Sequence, residues 1–592
     1  MIHRFRSKLH SAVSAAVICA VTAPATALGA PVAAVSQSAS APSMPQVIQL
    51  YTADENSLRA TYRVSFAPIT RARFSQFYKD QLAILDGIDF DSLGSQQEKI
   101  DYLLLKTHIT GAVHQLALRS REAAQMAPLL PFAPQVETFI DDKRRMVRPD
   151  GERSAAALTL IASKIAAAQK QFDPASSKGA KIDPIVANRA VRATLEMQRE
   201  LADWYAQYDG YDPEFTWWAA LPYKQATDAM SAYTGFLRDK LIGIAPDDKT
   251  TVIGDPVGRD ALIAELRDNL IPYSPEELIA IAQTEYDWCM REMLKASREM
   301  GLGDDWHAAI EKTKDMHVAP GEQPELIRKL VIEGADFVKT NDLVTVPPLA
   351  DETWRMIMMT PERQLVNPFF TGGNEISVSY PTNTMTYDQR MMSMKGNNEP
   401  IAHATAFHEM IPGHFLQFYM ADRYKPYRAQ FQTPFWHEGN ALWWEMLLYE
   451  KGFHKTPQDR VGALMWRMMR SARVITTMNF HLGKWTPQQC VEYIIDNVGW
   501  EPDNAIAEVR RYFNGSVGPL YQVSYLMGGV QFRELHKELV DSGKMTDRAF
   551  HDAVLHENSM PIELLRADLE NLPLSKDFAT TWKFYGEHPS HK

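Results

Sequence analysis

The spacing of hydrophobic residues predicts a mainly helical protein. From about residue 55 onward, apolar side chains recur at intervals of three and four, as in the group Ile100, Leu103 and Leu104. This is the spacing of one buried face of an α-helix. Helix starts are also visible, since Ser274 provides an N-cap and Glu277 completes a capping box.

The second half of the chain contains the clearest helical segments. Helices are predicted at residues 399–410, 438–451, 458–479, 487–497 and 525–542. Residues 374–381 instead alternate and are rich in β-favouring side chains, which makes them the best strand candidate. The expected fold class is therefore mainly α with a small β-sheet.

Breaks in this pattern divide the chain. Residues 1–30 have a basic start, a short apolar run and small residues at the end, which is typical of a secretory signal peptide. Residues 31–45 are rich in Ala, Ser and Pro and are expected to form a flexible leader. Because 344–348 interrupts the helical pattern, we expect an N-terminal helical lobe at 46–345 and a C-terminal catalytic lobe at 346–592.

The signal peptide predicts a periplasmic or secreted protein. Its apolar run is shorter than the roughly 20 residues that span a bilayer, and no later segment is long and apolar enough. We therefore expect no membrane insertion of the mature chain. The composition of the 592 residues, with 45% hydrophobic and 23% charged side chains, is otherwise ordinary for a soluble protein and leaves the oligomeric state open.

The negative net charge of the chain argues against nucleic acid as a binding partner. The charge is −11, and loss of Arg4, Arg6 and Lys8 with the signal peptide changes it to −14. Such an acidic protein is a poor candidate for binding nucleic acid. Cys289 and Cys490 remain in the mature chain, which is enough for one disulfide but too few to be the main metal ligands.

The strongest chemical signal is the segment His-Glu-Met-Ile-Pro-Gly-His at residues 408–414. In the common zinc-peptidase motif, two histidines lie four residues apart on one helical face, with a glutamate after the first. Here His408 and His414 lie six apart, and a regular helix would turn them away from each other. The extra residues Pro412 and Gly413 both favour a distorted backbone, so a bulge in the helix would restore the common arrangement.

A downstream helix offers the third ligand. Glu438 and Glu445 lie seven residues apart, about 20° from the same helical face. One would bind zinc and the other would hold a ligand histidine by its free N–H, and we take Glu438 as the ligand and Glu445 as its support. A His-Glu pair alone is a weak signal, because others occur at His437 and His556. The combination predicts one zinc ion per chain, bound by His408, His414 and Glu438.

These segments resemble the bacterial family known as domain of unknown function 885. The family's usual strings read like His-Glu-Ala-Ile-Pro-Gly-His-His and Glu-Gly-Trp-Ala-Leu-Tyr-Ala-Glu, which are similar to residues 408–415 and 438–445. Further similar segments lie at 469–473, 481–486 and 518–528. The chain departs from the family's pattern at four positions: Phe415, Asn440, Thr477 and Leu520.

The resemblance implies a two-lobed, metallopeptidase-like helical fold around a deep channel. A deep channel would favour short peptides over folded proteins as substrates. The helix that begins at Glu438 is also similar to those of thimet-oligopeptidase-like and thermostable-carboxypeptidase-like zinc peptidases. In those proteins the first glutamate is the ligand, which supports the choice of Glu438.

The expected activity is zinc-dependent hydrolysis of peptide bonds. Glu409 would act as the general base on the water at the metal. Tyr525 is the candidate donor to the tetrahedral oxyanion, with Tyr521 and His481 behind it. Packing of Tyr525 in the core is an equally weighted alternative.

Other residues are candidates for substrate binding. The strand at 376–380, which ends at Tyr380, could pair with an extended peptide. Arg473 or Arg511 could hold a substrate carboxylate bidentately, although a structural salt bridge is the commoner role of any single arginine.

Two other functions stay open: a zinc hydrolase of a non-peptide amide, and a non-catalytic binding protein of the same fold. A helical protein without metal would require the motif residues to coincide by chance.

Overall fold

A computed structural model describes residues 42–65, 67–175, 181–245, 247–248, 251–364, 369–379, 381–515 and 517–586. The described residues from Ser43 onward form one compact unit. The expected signal peptide and most of the expected leader lie outside the described residues. The first helix begins at Met44, so the last two residues expected in the leader are helical instead.

Seven helices form the first part of the described chain. They are α1 (Met44–Thr61), α2 (Pro68–Asp86), α3 (Gln96–Met126), α4 (Ala133–Arg144), α5 (Gly151–Phe172), α6 (Pro184–Tyr208) and α7 (Pro213–Phe236). Short 3-10 turns lie at Phe90–Ser92 and Ala127–Leu129, and a π-helical turn at Leu237–Ile242 continues α7.

The middle part contains shorter helices and the sheet. The helices are α8 (Arg259–Asp268), α9 (Pro275–Glu299), α10 (Trp306–Lys314), α11 (Gln323–Thr340), α12 (Pro348–Thr353), α13 (Pro361–Gln364) and α14 (Tyr387–Gly396). Strands β1 (Met356–Met358) and β2 (Ile376–Val378) pair in parallel. This small sheet and the many helices confirm the expected mainly α class.

Nine helices follow in the remaining described residues and include those that carry the predicted site. They are α15 (Glu399–Glu409), α16 (His414–Ala421), α17 (Pro434–Glu450), α18 (Pro457–His481), α19 (Pro487–Val498), α20 (Pro502–Phe513), α21 (Tyr521–His536), α22 (Asp547–His556) and α23 (Ile562–Leu569). A 3-10 turn lies at Pro426–Phe431, and a π-helical turn at Lys537–Asp541 follows α21.

Capping side chains fix where the site helices begin. The side chains of Asn398, Thr433 and Thr456 accept backbone N–H groups at the starts of α15, α17 and α18. A proline follows each cap within the first two helical positions, where its missing N–H costs nothing. These local signals explain why the observed helices begin close to the positions that the sequence predicts.

Three apolar clusters hold the helices together. The largest contains side chains from Met44 to Phe584 and therefore includes residues of both predicted lobes. A second cluster around Phe132 and Trp204 joins α4, α5, α6 and α7. The third surrounds Trp466 and packs α18 against α9 and α19. The division at residue 345 stays a prediction.

The structure also shows the state of the two cysteines and the character of the helices with respect to a membrane. Cys289 and Cys490 are free, and burial raises the pKa of each thiol to about 12. Within the described ranges, no helix combines the length and the apolar character needed to cross a membrane.

Candidate metal centre

The two predicted histidine ligands lie on successive helices. α15 ends at Glu409 and α16 begins at His414, so the chain breaks the helix where the sequence favoured a bulge within one helix. Across the break, the N–H of Gly413 donates to the carbonyl of Phe407 at 3.0 Å. This bond spans six residues where a helical bond spans four, which accommodates the two extra residues.

Gly413 allows the chain to turn this tightly. A Cβ atom at this position would lie 1.8 Å from the carbonyl oxygen of His408. The backbone has φ −83°, which other residues also adopt. Close approach to the preceding helix, and not an unusual φ, is therefore the reason why glycine is required.

The predicted ligand atoms converge. Nε2 of His414 lies 3.3 Å from Oε2 of Glu438, and Nε2 of His408 lies 3.7 Å from the same oxygen. Ligand atoms of the three side chains all lie within 4.8 Å of one another. In the part of the chain that the structure describes, no other group of three or more His, Cys, Asp or Glu side chains meets this criterion.

The second nitrogen of each histidine has an oxygen beside it. Nδ1 of His408 lies 2.6 Å from Oε1 of Glu445, and Nδ1 of His414 lies 3.3 Å from Oε1 of Gln417. Nε2 of each histidine faces Oε2 of Glu438, and a bound metal would take these two nitrogens in their deprotonated form. Supporting partners of this kind orient metal-binding histidines in proteins.

Glu438 presents one free oxygen to the two histidines. The hydroxyls of Tyr521 and Tyr525 both donate to Oε1, each at 2.7 Å. Oε2 is buried and has no hydrogen-bond partner among the described residues. A buried carboxylate oxygen facing two imidazole nitrogens is the environment that a cation satisfies, so the residues present fit a metal ion.

The charged groups of the centre stabilise one another. Burial lowers the pKa of His408, but hydrogen bonding to Glu438 and Glu445 outweighs it and raises the pKa to about 9. Burial acts to raise the pKa of Glu438, yet His414 and His408 hold it well below its usual range. For Glu445, burial is likewise outweighed by Arg470 and His408, which lower the pKa. Both carboxylates therefore stay ionised and attract a cation.

Glu409, the predicted general base, lies next to this centre. Its Oε2 accepts the N–H of Gly372 at 2.5 Å. A Cβ at Gly372 would lie 2.3 Å from the Glu409 carbonyl, so glycine is required for this contact. The residues before Gly372 include Thr371, which pairs with Ser377 of β2. The small sheet thus positions the carboxylate of Glu409.

The centre opens into a cavity of about 540 Å³, which His408, Glu409, His414 and Glu438 all line. Three aromatic rings form one wall, with ring centroids 5.5 to 5.7 Å apart. They belong to Phe369, Trp466 and Trp500. Helix α20 contributes residues at helical spacing: Asn504, Ala507, Glu508 and Arg511.

The predicted arginines Arg473 and Arg511 also line the cavity, and both pair with Glu508. Nε of Arg473 donates to Oε1 of Glu508 at 3.0 Å and to the hydroxyl of Tyr512 at 2.6 Å. Nη2 of Arg511 donates to Oε2 of Glu508 at 3.0 Å. Arg470, one turn before Arg473, instead lies 3.3 Å from Glu445.

His481 does not reach the cavity. It is the last residue of α18, and its Nδ1 lies 3.4 Å from the N–H of Val257. Its ring packs against Phe480 and Phe513. Burial lowers its pKa to about 4. The structure therefore places His481 outside the cavity lining, because α18 extends past the cavity before it ends.

The strand that was expected to pair with a peptide already pairs within the protein. On the β1 side, the N–H of Ile376 donates to the carbonyl of Arg355, and the carbonyl of Val378 accepts the N–H of Met359. On the other side, Ser377 and Thr371 exchange two backbone hydrogen bonds. Both edges of β2 therefore make hydrogen bonds within the protein, to β1 on one side and to Thr371 on the other. The predicted substrate contact Tyr380 lies outside the described residues.

Sequence reasoning missed Gln417 and Gly372. Gln417 follows His414 by three positions on α16, and helical spacing alone marks it as a neighbour of that ligand. Gly372 lies 37 residues before Glu409, and nothing in the sequence signals their contact. Tyr525 reaches the site as predicted, but its hydroxyl is bonded to Glu438.

Fold and site together define a mainly helical protein in which a buried His-His-Glu group lines a cavity. The chain belongs to the bacterial family of proteins of unknown function DUF885, whose sequence model matches residues 60–569. No protein with a curated function matches it significantly.

Two solved structures share the fold. A candidate lipoprotein of unknown function from Shewanella oneidensis is 19% identical, with a TM-score of 0.65 over 90% of this chain and 100% of that one. A candidate lipoprotein from Colwellia psychrerythraea is 15% identical, with a TM-score of 0.54 over 89% of this chain and 99% of that one. At these identities, the similarity shows the fold alone.

Proposed function

We propose that this protein is a zinc-dependent hydrolase that cleaves peptide bonds of short peptides. The observation that carries the proposal is the convergence of His408, His414 and Glu438, with Glu409 beside them, at the wall of one cavity. A carboxylate that is close to a metal centre without belonging to the ligand set is what a general base requires.

The donor set favours zinc. Two imidazole nitrogens and one carboxylate oxygen, with a further position open to the cavity, are typical of catalytic zinc sites. Glu438 would bind through Oε2 alone, because Oε1 is occupied by the hydroxyls of Tyr521 and Tyr525. When bound, the metal would polarise the substrate carbonyl and lower the pKa of a water molecule at the centre.

Glu409 then performs the proton transfers of hydrolysis. Its carboxylate takes one proton from the attacking water, whose oxygen forms the new bond to the carbonyl carbon. The carbon–nitrogen bond breaks, and Glu409 returns the proton to the leaving amine. Water and one amide are consumed, and one carboxylic acid and one amine are formed. The N–H of Gly372 fixes Oε2 of Glu409 throughout these steps.

A cavity of about 540 Å³ has the size of a small-ligand pocket and suits short peptides better than folded proteins. The N-terminal signal pattern and the description of both structural neighbours as candidate lipoproteins support work outside the cytoplasm. We infer a periplasmic or secreted peptidase.

Metal content tests the centre first. We expect about one zinc per mature chain by elemental mass spectrometry, lost in His408→Ala and in Glu438→Ala. His556→Ala is the matched control, because His556 also precedes a glutamate in the sequence but packs on Tyr424 away from the cavity. Retention of wild-type zinc content in both ligand variants would refute the ligand set.

Glu409→Gln tests the reaction. This variant should keep its zinc and lose roughly 10²- to 10⁴-fold in kcat, the usual contribution of a general base. The assay is release of amine from a library of short peptides, with non-peptide amides as a parallel set. Hydrolysis of the amides alone would replace the peptide assignment, and absence of turnover in a zinc-loaded wild type would refute the enzyme.

A further inference from the structure

One wall of the cavity carries more positive than negative charge. Arg473 and Arg511 share the single carboxylate of Glu508. The third arginine of this wall, Arg470, is matched by Glu445. Three guanidinium groups therefore face two carboxylates, and the surplus charge lies with the Arg473–Glu508–Arg511 cluster.

The buried guanidinium of Arg473 uses some of its nitrogens, but not all of them, in hydrogen bonds. Arg473 is 3% exposed, and its Nε and Nη2 bond to Glu508 and Tyr512. Its Nη1 has no hydrogen-bond partner within the described ranges. A buried cationic donor without an acceptor is costly, and an oxygen acceptor bound beside it would offset this cost.

Arg511 makes the cluster accessible. Its side chain is 48% exposed and lies on the face of α20 that lines the cavity. A carboxylate entering from the cavity would add the second negative charge to two guanidiniums and one carboxylate. Guanidinium groups bind carboxylates through paired hydrogen bonds, which gives such a site both strength and direction.

The cluster lies a short distance from the metal centre. The guanidinium carbon of Arg473 is 4.9 Å from the centroid of the Tyr525 ring, whose hydroxyl is 2.7 Å from Oε1 of Glu438. One phenol ring thus separates the cluster from a ligand carboxylate. That separation fits one or two extended residues, at about 3.3–3.6 Å each.

Resting on the proposed peptidase function, we propose that the Arg473–Glu508–Arg511 cluster binds the free C-terminal carboxylate of the substrate. Cleavage then falls one or two residues from the C-terminus, which makes the protein a carboxypeptidase-type enzyme. The side-chain carboxylate of Asp or Glu has the same chemistry, so the test must separate the two sources.

Binding without turnover provides the test. Zinc-loaded Glu409→Gln protein is titrated with an N-acetylated tetra-alanine as the free acid, as its C-terminal amide, and as an amide with Asp in the last position. We expect the acid to bind at least about tenfold more tightly than the plain amide, the size of one charge-assisted hydrogen bond. The Asp amide should not regain this affinity.

Variants locate the effect in the cluster. Arg511→Gln should reduce the preference for the acid several-fold, and Arg510→Gln on the same helix should leave it unchanged, because Arg510 does not line the cavity. The double variant Arg473→Gln/Glu508→Gln removes one charge of each sign and should abolish the preference. Zinc content and circular dichroism verify that each variant is folded.

Each outcome decides. Equal binding of acid and amide, or binding of neither, overturns the carboxylate site. An Asp amide that binds like the acid assigns the cluster to a side chain and overturns the C-terminal assignment. Hydrolysis by the wild type is measured separately. Cleavage of the acid and the amide at equal rates would support the peptidase function and overturn the proposed carboxylate site. A preference for the acid in binding, without any cleavage, would sustain the carboxylate site and overturn the peptidase function.

Discussion

At the scale of single residues, the orientation of the histidines depends on side chains that are not themselves ligands. Gln417 is the clearest case. Its Nε2 donates to the carbonyl of His437 at 3.2 Å and to Oδ1 of Asn440 at 3.0 Å. With the amide nitrogen engaged, Oε1 is directed at Nδ1 of His414. Asn440, a departure from the family's usual pattern, therefore supports the centre through Gln417.

We predict that Gln417→Ala lowers zinc affinity by about 10- to 100-fold, the usual effect of losing such a partner. The physical reason is that the imidazole of His414 loses the acceptor that selects its tautomer and its ring orientation. Competition with a chromophoric chelator measures the change. Gln417→Glu keeps an oxygen acceptor at this position and should retain most of the affinity, whereas unchanged affinity in Gln417→Ala would contradict the role.

At the scale of helices, the crossing of α17 and α21 brings ligand and support together. The helices touch at Gly439 and Gly528, where a Cβ on Gly528 would lie 2.1 Å from the carbonyl oxygen of Phe435. Gly439 follows the ligand Glu438, and Gly528 lies one turn after Tyr525. This close backbone approach is what allows the tyrosine hydroxyls to reach the ligand carboxylate.

Gly528→Ala should therefore separate the two helices and weaken the metal centre. We expect a loss of about 1–3 kcal/mol in the free energy of unfolding, typical of overpacking, together with lower zinc affinity. Gly529→Ala is the matched control on the same helix, because the nearest atoms that its Cβ would meet belong to the side chains of Leu442 and Met446, at 3.2 and 3.3 Å. Equal losses in the two variants would contradict the role of the crossing.

Helix α23 carries a buried carboxyl whose titration should be visible in stability. Burial raises the pKa of Glu563 from 4.5 to about 7. The unfolded chain releases this proton near pH 4.5 and the folded chain keeps it to about pH 7, so stability falls as pH rises through this interval. Glu563→Gln should remove this fall, on the order of 1–3 kcal/mol. Melting temperatures of both proteins between pH 5 and 8 provide the measurement, and parallel curves would refute the assignment.

At the scale of the whole molecule, the residues of the candidate metal centre come from three helices of the largest apolar core. His408 is on α15, His414 on α16 and Glu438 on α17. A metal held by all three binds the folded chain and not the unfolded one. Occupancy should therefore stabilise the fold as well as supply chemistry.

Chelation of the metal should consequently lower the melting temperature of the wild-type protein. Free metal at about 100 times its Kd corresponds to about 2.7 kcal/mol of stabilisation, and that increment is what chelation removes. His408→Ala provides the control, since a protein that cannot bind the metal should melt at the same temperature with and without chelator. An unchanged melting temperature of the wild type in the presence of chelator would contradict a contribution of the metal to stability.

The sequence predicted the helical class and the positions of the site helices with small errors at their ends. The prediction of 458–479 as a helix is matched by Pro457–His481, because Thr456 caps its start and Pro457 suits its first turn. The segment 525–542 was placed too late, since the observed helix begins at Tyr521 without a capping side chain. The strand was predicted longer than Ile376–Val378 because alternation does not show where pairing ends.

What the sequence determined by itself is the chemistry that depends on local spacing. Two histidines flanking a Pro-Gly insertion, and two glutamates seven residues apart on a helix, define the candidate ligands because helical geometry relates residues near in sequence. Tertiary structure alone decided which atoms those ligands face. The hydroxyls on Glu438, the N–H on Glu409, the occupied edges of β2 and the displacement of His481 all depend on contacts between distant segments. Such contacts follow from how whole helices pack, and no local spacing encodes them.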